Sequence, residues 1–341
     1  MMTELKLIMS DLFEKTIQQL TLKKIIGVPV FLLIFQARVF LQDSAYVSSE
    51  PAEFISFVDK TPVIDQFAGT RVINLHSVDM IPARSLEFIV AHKFGDIGGA
   101  AGGVPGWFGF DNLADVRIAF EYGLTKNINV GLGRSKGTGL LTQVADGYFK
   151  YKLLQQNKGN IPVTLVVLSS LSLPYGAASD DSTSITSYPD FFHRFIYNSQ
   201  ILVARKFSDR ISVQLNLGYN HRNYVDYRDQ NGLTYLGLCG RFRITKTIGV
   251  LAEYTYILQR PGEVNFTNHL GFGIEFITGG HVFSLNFTNS RAVTENLFIP
   301  ATTEDWLKGQ FRFGFSVNRR FKLCFDFSQY KLQCYVLATS S

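Results

Sequence analysis

The chain has 341 residues, and its 33 Lys and Arg against 28 Asp and Glu give a formal charge of +5; residues 1–41 hold five of the bases and three of the acids, so the remainder carries 28 against 25. That balance lends no support to nucleic-acid binding. No stretch reaches the ~18–20 uninterrupted apolar residues of a membrane helix, and 47 aromatic residues with only 18% charged exclude a disordered chain, leaving a β-rich one with 29 Gly.

Lys23-Lys24 precede the apolar run Ile25–Phe35, the shape of a secretory signal too short to span a bilayer. Residues 1–41 therefore read as a leader with a signal peptide, cut between Ala37 and Ala45, and residues 1–21 are an unusual start. Residues 42–84 follow as a mixed segment holding Glu53–Val58 and Gly69–Asn74. It is either a periplasmic arm or a plug, and periodicity does not decide between them.

From Ser85 onward period-two alternation dominates. Leu86, Phe88, Val90 and Phe94 alternate with Glu87, Ala91 and Lys93; Val116, Ile118, Phe120 and Tyr122 alternate with Asp115, Arg117, Ala119 and Glu121. Phe149, Tyr151 and Leu153 stand opposite Tyr148, Lys150 and Lys152. The theme returns over 163–172, 194–206, 211–222, 233–244, 248–258, 268–277, 281–289 and 309–321, about twelve strands in all. Each is near the ~9–11 residues that cross a bilayer when tilted.

Connections alternate long and short. Long stretches cover 95–114, 173–193, 223–232 and 290–308, with 134–145 and 259–267 as shorter members; tight turns fall at Thr125-Lys126, Phe207–Arg210, Thr245–Thr247 and Thr278–Gly280, with Leu154–Pro162 between the two kinds. This layout predicts an all-β fold, a transmembrane antiparallel barrel over 85–321 with long extracellular loops and short periplasmic turns. The face opposite the apolar one then lines the lumen. Its charged candidates are Glu87, Arg117, Glu121, Lys150, Lys152, Arg241, Arg243, Glu253, Glu275 and Arg312. Charges of both signs in one ring predict either a pairing network or a selectivity ring for solutes.

Six segments carry a resemblance: Phe67–Asn74, Leu86–Gly95, Arg117–Leu124, Val130–Ser135, Leu202–Phe207 and Thr278–Ser290. In this order they resemble the Bacteroidetes outer-membrane β-barrel family of unknown function (domain-of-unknown-function family 5777) over about 63–321. The resemblance implies an outer-membrane barrel of uncharacterised activity, with no catalytic residues to carry over. Members of that family end at the aromatic residue matching Phe321, whereas this chain continues with an atypical tail, 322–341, expected to lie outside the barrel.

Signals for chemistry are weak. Cys239, Cys324 and Cys334 match no disulfide or zinc spacing. His281 shares the lipid-facing side with Phe283, so a hydrolase built on His281, Asn289 and Ser290 is unsupported. Gly98–Gly109 lacks the Lys of a phosphate loop, and Asp180-Asp181 reads as a solvated loop tip. No catalytic, metal or cofactor site is assigned, and an enzyme is not favoured. The expected partners are outer-membrane lipid, the barrel-assembly machinery and small polar solutes, with no nucleic acid. Three functions are carried forward: a channel or transporter for small polar solutes, a structural or adhesive protein acting through its loops, and a membrane-embedded lipid hydrolase or acyltransferase.

Overall fold

The computed structural model describes residues 60–323, apart from positions 100, 101, 138, 140 and 263. The signal peptide, the stretch 53–58 and the tail from residue 324, with Cys324 and Cys334, lie outside the described residues.

Twelve strands form one sheet. They are β1 (Ser85–Asp96), β2 (Leu113–Gly123), β3 (Ile128–Gly137), β4 (Gln143–Leu154), β5 (Thr164–Pro174), β6 (Ile196–Lys206), β7 (Ile211–Arg222), β8 (Gly232–Arg243), β9 (Ile248–Ile257), β10 (His269–Thr278), β11 (His281–Thr288) and β12 (Arg312–Lys322). Each pairs antiparallel with its sequence neighbours, and β12 closes on β1 with Leu86 opposite Phe321 and Val90 opposite Val317. Closure leaves no free sheet edge, which is what permits strands to sit in hydrocarbon.

Alternation places the apolar residues outside. Ile118, Phe120, Leu132, Phe149, Ile201, Leu215, Leu238, Phe272 and Leu285 are exposed large hydrophobics around the circumference. A continuous belt of this kind is far larger than a water-soluble surface tolerates, and lipid is the medium that suits it. The chain is a transmembrane β-barrel.

Most strand boundaries match the alternation within three residues, and the departures have local causes. β3 runs on to Gly137, so the connection expected over 134–145 shrinks to 138–142. β12 starts later than the expected 309 because Asp305 caps a short 3-10 turn at Trp306–Lys308, which Gly309 ends with φ at +71°. At that φ glycine carries no steric penalty.

One end of the barrel holds the turns 124–127, 155–163, 207–210, 244–247 and 279–280; the other holds the loops 97–112, 138–142, 175–195, 223–231, 258–268 and 289–311. The longest turn, 155–163, has a partner. Val63 N donates to Gln156 O at 2.8 Å, Gln66 Nε2 donates to Thr164 Oγ1 at 3.0 Å, and Pro62 bridges Asn157. The N-terminal segment therefore enters beside this turn, runs into the barrel, and leaves at the same end, where Arg84 N donates to Gly123 O at 2.8 Å before β1 begins.

Candidate functional site

The lumen is occupied by a hairpin of residues 67–79. Val72 N donates to Leu75 O and Ser77 N to Thr70 O, both at 2.9 Å, so Arg71 and His76 face each other across a tight loop. Phe67, Leu75, Val78 and Ile81 are all buried. Residues 67–81 thus sit inside the barrel and are called the plug below, while Lys60–Pro62 stay exposed at its short-turn end.

The tip of this hairpin has no secondary-structure partners of its own, and Glu253 on β9 supplies them. Its Oε2 accepts the N–H groups of Ile73 at 3.1 Å, Asn74 at 3.0 Å and Leu75 at 3.1 Å, and its Oε1 accepts from Asn74 N at 2.9 Å. His269 Nε2 on β10 lies 2.7 Å from Oε1. A carboxylate fixed by several amide donors is a strong, directional latch. Gln214 on β7 grips the next turn from both sides: its Oε1 accepts from Val78 N at 2.8 Å and its Nε2 donates to His76 O at 2.7 Å.

A second element fills the lumen from the long-loop end. Residues 290–308 are expected to face the exterior, but the structure turns their first part, to Pro300, into the barrel, while Leu307 and Lys308 stay exposed. Ser290, Thr294, Glu295, Leu297, Phe298 and Ile299 are buried, and residues Glu295–Ala301 form a short helix, α1. The reason is mutual: α1 carries the apolar Leu297-Phe298-Ile299, and its Glu295 carboxylate meets the plug. Glu295 Oε1 accepts from His76 N at 2.7 Å and lies 2.6 Å from His76 Nδ1, while Oε2 accepts from Arg71 Nη1 at 3.0 Å. Asn74 Nδ2 donates to Ser290 Oγ at 3.0 Å. Plug and inward loop thus meet inside the barrel.

All ten charged candidates lie on the inward face. Eight are buried; Lys152 and Arg243, near the short-turn rim, are half-buried. Their partners are local or belong to the plug. Arg117 makes a two-pronged pair with Asp146, at 2.6 and 3.1 Å, passing over Gly133, where a Cβ would sit 2.6 Å from the guanidinium. Arg241 pairs with Glu275 and reaches Asp65 O at 3.3 Å. Glu87 accepts from Arg320 Nη2 at 2.7 Å and from Asn318 Nδ2 at 3.1 Å. Glu121 accepts from Thr70 Oγ1 at 2.6 Å, and Lys150 Nζ donates to Asp79 O at 2.5 Å. Arg312 Nη2 donates to Glu304 Oε1 at 2.7 Å, and Lys152 Nζ to Gln155 Oε1 at 2.7 Å. Arg243 Nε has no hydrogen-bond partner among the described residues.

The inward face is not polar throughout. Val166, Leu168, Leu202, Ala204, Leu233, Tyr235, Cys239 and Leu251 join Phe67, Val72, Ile73, Leu75 and Val78 in one buried apolar cluster. Cys239 is therefore a packed wall residue. His281 and Ser290 stand at opposite ends of β11, too far apart for any shared chemistry. Ser290 Oγ instead accepts from Lys93 Nζ at 2.9 Å. Among the described residues, no group of three or more His, Cys, Asp or Glu is arranged to hold a metal ion.

Sequence reasoning missed Arg71, His76, Gln214, His269 and Glu295. The Glu295–His76 contact joins positions 219 apart in the chain, and no spacing rule finds such a pair. Outside the strands, two carboxylates tie the long-loop end together. Burial pushes the Glu304 carboxyl up, but Arg291 and Arg312 together hold it below its usual 4.5. Burial likewise acts on Asp229, and Arg222 with Arg260 brings it below its usual 3.8.

The model of a family described as a membrane bound beta barrel domain (DUF5777) matches residues 67–321. None of the curated proteins matches the chain in sequence. Among solved structures, a NanC porin superposes with a TM-score of 0.41 at 7% identity, covering 70% of this chain and 100% of its own. A KdgM porin gives 0.42 at 9% identity, covering 69% and 98%. A triple-mutant porin of Rhodopseudomonas blastica gives 0.29 at 14% identity, covering 61% and 55%.

Proposed function

The chain belongs to this family of membrane-bound β-barrels, and on that premise we propose that it is an outer-membrane channel or transporter for small polar solutes, closed in the described state by residues 67–81 where they meet the inward loop. The short-turn end, with the plug's entry, faces the periplasm in this reading, and the long loops face the cell exterior. The chain reaches its membrane through the secretory signal and the barrel-assembly machinery.

The observation that carries the proposal is the way the plug is held. Its hairpin tip is fixed by side-chain acceptors on the wall, above all Glu253 and Gln214, rather than by strand pairing into the sheet. Such contacts exchange for water at modest net cost, because each is worth ~0.5–3 kcal/mol against its solvated state. The wall beneath would then present Glu121 and Glu253, whose partners are Thr70 and the amides of Ile73, Asn74 and Leu75, to water. A barrel with a merely structural role has no need of buried charges whose partners sit on a separate, withdrawable segment.

The test is planar-bilayer conductance of the refolded protein and of a variant lacking residues 67–81. The expected result is a nearly silent full-length protein and a steadily conducting deletion. A deletion variant that is folded by heat-modifiability yet passes no current would overturn the reading.

A further inference from the structure

Above α1, at the long-loop end, lies a second space that the plug does not enter. It is a cavity of about 360 Å³ between α1, the ends of β2, β6 and β7, and the loops 175–195 and 289–311. That volume falls at the small end of the ~300–1,000 Å³ typical of ligand pockets. Two chemistries meet across it. The floor is apolar, with Leu297 and Phe298 of α1, both buried. The rest of the lining includes Arg194, Arg222 and Arg291, the last already paired with Glu304.

The arginines are braced and incompletely used. Arg222 Nη2 donates to Asp229 Oδ2 at 2.9 Å and to Gln230 O at 2.8 Å, while its Nε is buried with no partner among the described residues. Arg194 donates through Nη1 to the carbonyls of Pro174 and Gly176 and lies 4.3 Å over the ring of Tyr188, with no carboxylate partner among the described residues. The Tyr188 hydroxyl is also buried without a partner, and the residue holds a φ of +42°. A non-glycine residue in this region stores strain that the surroundings must hold in place, a pattern concentrated at binding sites. One carboxylate lines the cavity, Asp115, and its Oδ2 is engaged by Val293 N at 3.0 Å.

We propose that this cavity binds a small organic anion with an apolar body, its acidic group facing Arg222 and Arg194 and its body lying on Leu297 and Phe298. Guanidinium forks suit carboxylates in a two-pronged geometry, and a half-dry pocket strengthens the pairing. The apolar floor selects against inorganic anions, which gain nothing from it. The identification of this ligand as the transported solute rests on the channel reading; its binding does not.

The experiment uses the full-length protein held in amphipol and titrated calorimetrically with naphthalene-2-carboxylate and, separately, the neutral 2-naphthalenemethanol. The acid is expected to bind at least tenfold tighter than the alcohol. Arg194→Gln, which leaves the Asp229 clamp intact, is expected to weaken the acid about tenfold and leave the alcohol unchanged. Ala292→Trp, which fills the cavity from its lining, is expected to abolish both. Equal binding of acid and alcohol, or acid binding that survives Ala292→Trp, would overturn the site. Conductance of the plug deletion is scored separately: a barrel that binds the acid but never conducts refutes the channel alone, and one that conducts but does not bind refutes the site alone.

Discussion

Two regions of the lumen wall differ in what they bury. On β5, β6, β8 and β9, Val166, Leu168, Leu202, Leu233, Tyr235 and Leu251 pack against Phe67, Val72, Leu75 and Val78. On β1, β2 and β12, the charged inward residues are Glu87, Lys93, Asp115, Arg117, Glu121 and Arg312, whose ion pairs and hydrogen bonds run to the wall, to the inward loop and, at Glu121, to Thr70 of the plug. The apolar stripe seats the hairpin without regard to its backbone direction, because dispersion and the hydrophobic effect are non-directional. Hydrogen bonds from Glu253 on β9 and Gln214 on β7, set within and beside that stripe, fix its register. Affinity and alignment of the plug are therefore separable, and each can be attacked alone.

The largest expected effect comes from charging the stripe. Leu75 is fully buried, and Leu75→Asp places a carboxylate among hydrocarbon with no cation aimed at it. Plug docking is expected to weaken by about 4 kcal/mol or more, read as new protease cleavage within 67–81 while the barrel remains heat-modifiable.

Next comes the latch. Glu253→Ala strips the acceptor from three consecutive amides and is expected to cost about 2–4 kcal/mol locally. Hydrogen exchange at Ile73, Asn74 and Leu75 checks it, and these amides should lose protection together while β9 keeps its own. A smaller loss, about 1–2 kcal/mol, is expected for Gln214→Ala, confined to Val78 and its neighbours.

The smallest effect lies outside the membrane, at the long-loop end. Glu304 and Asp229 sit below their ordinary values, so they contribute stability that is fully present above those values and lost as pH falls through the lowered ones. Trp306, next but one to Glu304, donates its indole N–H to Leu270 O at 3.0 Å and so reports on this end. In a Trp107→Phe background its fluorescence is expected to hold steady from pH 7 to about 5 and to change only below about 4. A change near pH 6 would assign the transition to other groups.

The same contrast explains what the sequence shows and hides. Where one face is charged and the other apolar, as in β1, β2 and β12, alternation reveals strand, register and facing at once. Where both faces are apolar, as in Leu165-Val166-Val167-Leu168, the inward stripe is invisible, and only closure of the sheet tells Val166 from Val167. The plug's latches are hidden for another reason: Glu253 and Ile73 lie 180 positions apart. The inward turn of 290–300 is hidden because α1 is only seven residues long, too short for a periodic signal.

In this reading the plug, docked against the inward loop, closes the lumen, and a reversible tether between them probes that closure. Asn74 and Ser290 already touch through their side chains at 3.0 Å, so Asn74→Cys with Ser290→Cys, in a chain whose Cys239, Cys324 and Cys334 are replaced by Ser, joins the hairpin tip to the inward loop. In a planar bilayer the oxidised protein is expected to stay silent under any voltage the membrane withstands. Added reductant should restore the openings of the untethered chain, and the Glu253→Ala change should make them more frequent. Equal conductance in the oxidised and reduced states would contradict the account, for it would place the conducting path, if any, outside the plugged lumen.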